Sequence, residues 1–124
     1  MSNIIHTCNA PEAIGPYSQA VTVGNLVFTS GQIAINPASG SVEAVTIEEQ
    51  TEQVCKNLKA VLEASGSSLE KVVKTVCFLR NMEDFAAFNG VYAKYFTGKP
   101  ARSCVAVRQL PKDVLVEIDT IAEI

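Results

Sequence analysis

The chain reads as an α+β domain in which two helices cover one face of a β-sheet. Three observations predict this. Residues 47–65 and 82–96 carry apolar side chains at helical spacing. Short apolar or alternating runs lie before, between and after them. Turn residues, among them Gly24-Asn25, Gly66, Thr97-Gly98-Lys99-Pro100 and Pro111-Lys112-Asp113, separate the segments. A chain of 124 residues, 48% of them hydrophobic, is sized for one domain spanning residues 1–124 and for a real core, not for disorder.

In order, Ile4-Ile5-His6-Thr7 reads as a short strand, and a loop runs from Asn9 to Pro16. The runs 21–23 and 26–28 flank Gly24-Asn25 and predict a hairpin. The second of these strands is expected to continue to Ile35 through Ser30-Gly31-Gln32. A glycine inside a strand suggests a bulge or a close approach of another group, with a plain packing glycine as the alternative. Thr46 with Glu49 forms a capping box, and Ile47, Val54, Leu58, Val61 and Leu62 give the first helix its stripe. Gly66 stops that helix. Residues 72–79 form a strand that is largely apolar on both faces. Asn81 opens a second helix to about Phe96, with Phe85, Phe88, Val91, Tyr92 and Tyr95 as its stripe. Two strands close the chain, and their Pro-Lys-Asp connection predicts an antiparallel hairpin. The two helices cover one sheet face, and an apolar second face then calls for self-association.

Composition excludes several function classes. The net charge is −3 and no Lys/Arg cluster appears, so a nucleic-acid partner is not expected. No basic segment precedes a long apolar run, and no stretch is long enough to span a bilayer. The expected compartment is the cytoplasm, with a removed organellar presequence left open. Cys8, Cys55, Cys77 and Cys104 are scattered and form no Cys-x-x-Cys pair, so neither a metal nor a redox motif is expected. His6 is the one histidine, and no phosphate loop or dinucleotide fingerprint is present. Any catalysis must use binding, a carboxylate, backbone dipoles and water, without a cofactor.

Residues 100–118, PARSCVAVRQLPKDVLVEI, concentrate what chemistry there is. Side chains alternate along a strand, so Arg102 shares a face with Cys104, and Glu117 shares one with Leu115 and Asp119. The predicted hairpin would bring Arg102 and Glu117 together on one face. The commoner outcome for such residues is a solvated or ion-paired couple. The alternative is a small anion site, with the arginine fork on a carboxylate and the glutamate polarising a water.

Pro-Ala-Arg-Ser-Cys, Leu-Pro-Lys-Asp and Val-Glu-Ile in this stretch resemble the C-terminal signature of the RidA family, also called YjgF or L-PSP. Residues 13–20 (AIGPYSQA), 29–32 (TSGQ) and 84–89 (DFAAFN) are similar to further motifs of that family, in the same order. The resemblance implies a chorismate-mutase-like α+β fold, a homotrimer with sites in clefts between subunits, and hydrolysis of reactive 2-imino acids to 2-keto acids and ammonia. It implies roles residue by residue. Arg102 would hold the substrate carboxylate and Glu117 would activate water. Backbone at Gly31 and Cys104 would bind substrate, Tyr17, Ser30 and Asn89 would line the cleft, and Phe85 would supply apolar wall. Ala106, Arg108 and a short Thr97–Pro100 connection depart from the family pattern and put substrate range in question. Two other readings stand beside this one. One is an endoribonuclease and translation inhibitor, which the acidic charge and lone histidine oppose. The other is a non-catalytic module that binds small carboxylates, for which Glu117 would be dispensable.

Overall fold

The computed structural model describes residues 2–124, and Met1 lies outside the described residues. Eight strands and two α-helices follow in order. They are β1 (Ser2–Ile5), β2 (Ala20–Val23), β3 (Leu26–Thr29), β4 (Ile35–Asn36), β5 (Ser41–Val42), α1 (Ile47–Ala64), β6 (Val72–Leu79), α2 (Phe85–Tyr95), β7 (Ala101–Ala106) and β8 (Val116–Glu123). Six strands form one mixed sheet in the order β1-β2-β3-β8-β6-β7, and β4 and β5 form a separate small ribbon. Both helices pack on one face of the sheet, as predicted.

Local chemistry accounts for most of these elements. Gly24, at φ 59°, supplies the positive φ that a two-residue hairpin turn asks of its first position, and Val23 pairs Leu26 across it. The Thr46–Glu49 capping box is formed in both directions, which stabilises the start of α1 by about 1 kcal/mol. Helix α1 ends at Ala64, with Gly66 at φ 83° just beyond. Its stripe residues Val54, Leu58, Val61 and Leu62 are fully buried against Val27, Cys77, Ile118 and Ala122 of the sheet. Cys55 packs in the same core. The second helix begins later than expected. A 3₁₀ turn at Met82–Asp84 precedes α2, and Asn81 makes no side-chain capping bond.

Two expectations about the sheet are corrected. Strands β7 and β8 do not pair with each other. Strand β6 lies between them, parallel to β7 and antiparallel to β8. The cause is the apolar character of β6 on both faces, which favours a central position, and the length of the 107–115 connection. That connection passes the end of β6, where Val107 N–H donates to Leu79 O (2.9 Å) and Arg80 N–H donates to Leu115 O (3.0 Å). The strand through Ser30 also does not run unbroken to Ile35. It pairs Phe28 with Ile121 and then Gln32 with Ile118, so β3 spends one residue more than β8 over this stretch. The extra residue is a bulge at 29–31. Thr29 Oγ1 replaces the missing ladder partner by accepting from Thr120 N–H at 3.0 Å.

The second sheet face carries no helix. Ile4, Val21, Val23, Phe28, Phe78, Val105 and Ile121 share it by register, and Ile4, Val23, Phe28 and Val105 are among the exposed large apolar residues. No helix among the described residues is long and apolar enough to cross a membrane.

Candidate functional site

Register places Arg102 and Glu117 on opposite faces of the sheet. Arg102 pairs Thr75 of β6, and Glu117 pairs Phe78. Three steps along β6 reverse the face. Thr75 is buried beneath the helices, its Oγ1 2.8 Å from Tyr92 Oη, so Arg102 points to the helix side. Glu117 lies with Asp119 on the side without helices. Two strand spacings, about 10 Å, also separate their strands. The sequence residues therefore fall into two groups, each beside its own cavity.

The first group surrounds Glu117. A cavity of about 110 Å³ is lined by Glu117, Gly31, Gln32, Tyr17, Glu12 and Pro111 among others. The bulge presses Gly31 against the carboxylate. A Cβ there would stand 2.9 Å from Glu117 Cδ and closer still to Oε2, so only glycine leaves room. Burial holds the Glu117 pKa above the ordinary carboxylate value, and the charge of Asp119 adds to the effect. Asp119 is itself raised by burial. Tyr17 is half exposed, its ring packed on Gly15. Ser30 serves the loop: its hydroxyl donates to Ser18 O and its N–H donates to Gln19 O. It anchors the bulge and does not line the cavity.

The second group surrounds Arg102. Its Nη1 donates to Asn89 Oδ1 at 2.7 Å. The guanidinium carbon lies 4.8 Å from the Tyr92 ring centroid, 5.4 Å from Phe85 and 6.0 Å from Phe88. An amide acceptor and three rings hold the fork without neutralising it. His6–Glu12 is the one contact between a basic side chain and a carboxylate within 4.0 Å among the described residues, so none of their carboxylates pairs with Arg102. A cavity of about 400 Å³ opens beside it, lined by Asn89, Tyr92, Phe96, Lys99 and Pro100 as well. Cys104 follows on the same face of β7. Burial raises its thiol pKa, partly offset by the Arg102 charge, which makes it a poor nucleophile. Strand β7 is an edge strand. Since Val107 N–H points to β6, alternation turns the N–H and C=O of Arg102 and Cys104 outward, unpaired within the chain.

The sequence reading missed Tyr92 and Phe88 as neighbours of the guanidinium and Glu12, Gln32 and Pro111 as cavity wall. The first pair was legible in principle. Phe88 and Asn89 lie three and four residues after Phe85, and Tyr92 four and three after them, so one helix face presents all four together. Glu12 and Pro111 depend on how the 9–17 and 107–115 loops fold back, for which no periodicity exists, and Gln32 is placed by the bulge beside Gly31.

The chain is thus a small α+β domain with a cationic fork boxed by aromatics on one sheet face and a carboxylate seated on a glycine bulge on the other. Comparison with known proteins places it more closely. The family described as Endoribonuclease L-PSP matches residues 7–124. A RutC family protein of Pyrococcus horikoshii is 53% identical, with 98% of each chain covered. The 2-iminobutanoate/2-iminopropanoate deaminase of Escherichia coli is 48% identical, again with 98% of each chain covered. A crystal structure from Thermotoga maritima superposes with a TM-score of 0.97 at 54% identity, covering 100% of this chain and 98% of the other. The chain belongs to the RidA (YjgF, L-PSP) family.

Proposed function

We propose that the protein is an imine deaminase that hydrolyses 2-imino acids, such as 2-iminobutanoate and 2-iminopropanoate, to 2-keto acids and ammonia. One observation carries the reading: the chain holds an unneutralised guanidinium and a carboxylate of raised pKa, each beside a cavity, on opposite faces of its sheet. Neither half alone can hold a substrate carboxylate and activate water at the same time. A neighbouring copy, as in a homotrimer with inter-subunit clefts, would bring the Arg102 half of one chain against the Glu117 half of the next. The apolar face without helices gives such an assembly its driving force. One relative bears the deaminase name, which supports this chemistry for the chain.

The mechanism follows from the residues. Arg102 binds the substrate carboxylate as a bidentate fork, with Asn89 fixing its plane. Phe85 and the other rings keep the site dry on that side. Outward backbone groups of Cys104, and the backbone at Gly31, bind the imine nitrogen and the developing oxygen. Glu117 takes a proton from water as its oxygen bonds to the imine carbon, and the C=N electron pair moves to nitrogen. The same carboxyl returns that proton to nitrogen, giving a carbinolamine. It then relays the hydroxyl proton to the amine as the carbonyl forms, the C–N bond breaks and ammonia leaves. A carboxyl of raised pKa suits both steps. Tyr17, from the Glu117 half, closes the cleft mouth. The imine carbon is already electrophilic, so orientation supplies most of the required acceleration. RNA cleavage is the weaker reading, since neither cavity is lined by a histidine.

The test is purified protein added to a threonine dehydratase reaction, following keto-acid release from the transient imine. Wild type is expected to accelerate release and Arg102→Ala is not. Glu117→Gln is expected to lose the acceleration while still binding a keto acid. No acceleration by wild type would overturn the reading.

A further inference from the structure

The Arg102 cavity holds more positive charge than one carboxylate requires. Lys99 and Arg102 both line it, and no carboxylate does. Neither cation has a carboxylate partner among the described residues. The rest of the wall is mostly aromatic and apolar, with Arg102 half-buried and Lys99 exposed to solvent.

The backbone that presents Lys99 is constrained on every side. Lys99 has φ 52°, a left-handed conformation that disfavours lysine. Gly98 before it lies so close to Glu70 that a Cβ would stand 2.9 Å from the carbonyl oxygen. Lys99 N–H donates to Phe96 O at 3.4 Å, and Pro100 fixes the exit. A turn that only linked α2 to β7 would accept glycine or asparagine at this position more readily. The fold instead holds a lysine on the cavity wall, three residues from the arginine.

We propose that Lys99 and Arg102 form a two-anion site, and that the favoured substrates are 2-imino acids with a second carboxylate on the side chain. The proposal rests on the deaminase reading for its chemistry. Arg102, fixed by Asn89 and the rings, takes the α-carboxylate. Lys99 carries a compact charge on a flexible stem and takes the distal carboxylate. Hydrolysis proceeds as above, with the second carboxylate unchanged, and yields a 2-keto dicarboxylate and ammonia.

Calorimetric binding of two stable keto acids, 2-oxoglutarate and 2-oxobutanoate, tests the site. Wild type is expected to bind the dicarboxylate about fivefold more tightly at low salt. The preference is expected to shrink in ~0.5 M salt. Lys99→Asn keeps a residue that tolerates the left-handed backbone and is expected to erase the preference, and Lys99→Glu to reverse it. Equal affinities in wild type, or a preference that survives both substitutions, would overturn the proposal. Hydrolysis of imines made from glutamate and alanine by amino-acid oxidases, run on the same proteins, separates the two readings. A binding preference without hydrolysis refutes the deaminase and leaves the two-anion site standing. Hydrolysis without any preference refutes the site and leaves the deaminase. Failure of wild type to bind either acid refutes both.

Discussion

Replacing Gly31 by alanine isolates the position of the Glu117 carboxylate from its presence. The backbone at Gly31 is not left-handed, so the substitution acts through contact alone. The new Cβ would meet Glu117 Cδ at 2.9 Å, where carbon atoms ordinarily stand at about 3.5–4.0 Å. The carboxyl group must therefore retreat by roughly 0.5–1 Å. It is the far end of a half-buried side chain, so the retreat costs folding only about 1 kcal/mol, the low end of the range for overpacking. For catalysis it is not cheap, because a misplacement of about 1 Å costs on the order of 100-fold in rate. Gly31→Ala is thus expected to lower kcat/KM for 2-iminobutanoate by about 100-fold, with a melting temperature within a few degrees of wild type. The double variant Gly31→Ala/Glu117→Gln is expected to be no slower than Glu117→Gln, since both changes remove one function. Gly31→Ala with activity within threefold of wild type would refute the argument that the bulge exists to seat the carboxylate.

Two further outcomes follow from neighbouring contacts. Asp119→Asn removes a charge that helps to raise the Glu117 pKa, so the acid limb of the kcat/KM profile is expected to move to lower pH. The sign for stability is fixed by the same shift. A carboxyl whose folded pKa is raised contributes stability below its unfolded pKa, and that contribution is lost as pH rises through the folded value. Wild type should therefore lose thermal stability as pH rises above the ordinary carboxylate range, and Asp119→Asn should lose less; identical profiles would exclude the coupling. Thr29→Val leaves the buried Thr120 N–H without its acceptor and is expected to cost about 1–3 kcal/mol in urea unfolding. A neutral effect would mean that the bulge is held by something other than this side chain.

What the sequence revealed, and what it hid, divides along the range of the interactions. The capping box at Thr46, the Gly24 turn and the stripe of α1 depend on residues within a few positions of one another, and their signals are local. Gly31 was readable as a bulge or close approach, with a plain packing glycine as the alternative, because glycine inside a strand often marks one of the first two. That Glu117 is the group pressed against it was not recognisable, because β8 meets the bulge only in the tertiary fold. The pairing of β7 with β8 failed for a related reason. Pro-Lys-Asp is turn chemistry, but Lys112 and Asp113 both adopt positive φ inside a longer loop that crosses the end of β6. A connection spanning 107–115 exceeds the two to five residues of a hairpin and was the available warning. The family motifs singled out Arg102 and Glu117 without revealing that one chain holds them back to back.

That arrangement has a consequence that mixing can expose. If the Arg102 half of one subunit works with the Glu117 half of the next, two inactive variants can complement each other. In a ring of three, Arg102→Ala and Glu117→Gln chains both occur in roughly three quarters of randomly assembled trimers. Each mixed trimer has one junction where an intact Arg102 half faces an intact Glu117 half, so about one site in three is whole. Co-expressed variants should therefore recover roughly a quarter of wild-type activity, while either alone stays inactive. Dilution below the assembly constant should abolish wild-type and recovered activity together. Were Arg102 and Glu117 to act within one chain, every chain in the mixture would lack one of them and no activity would return. The register already opposes that case, since Thr75 and Phe78 hold the two residues on opposite faces of β6. Complementation would then show that the sheet face without helices is covered so as to complete the site as well as to bury apolar surface.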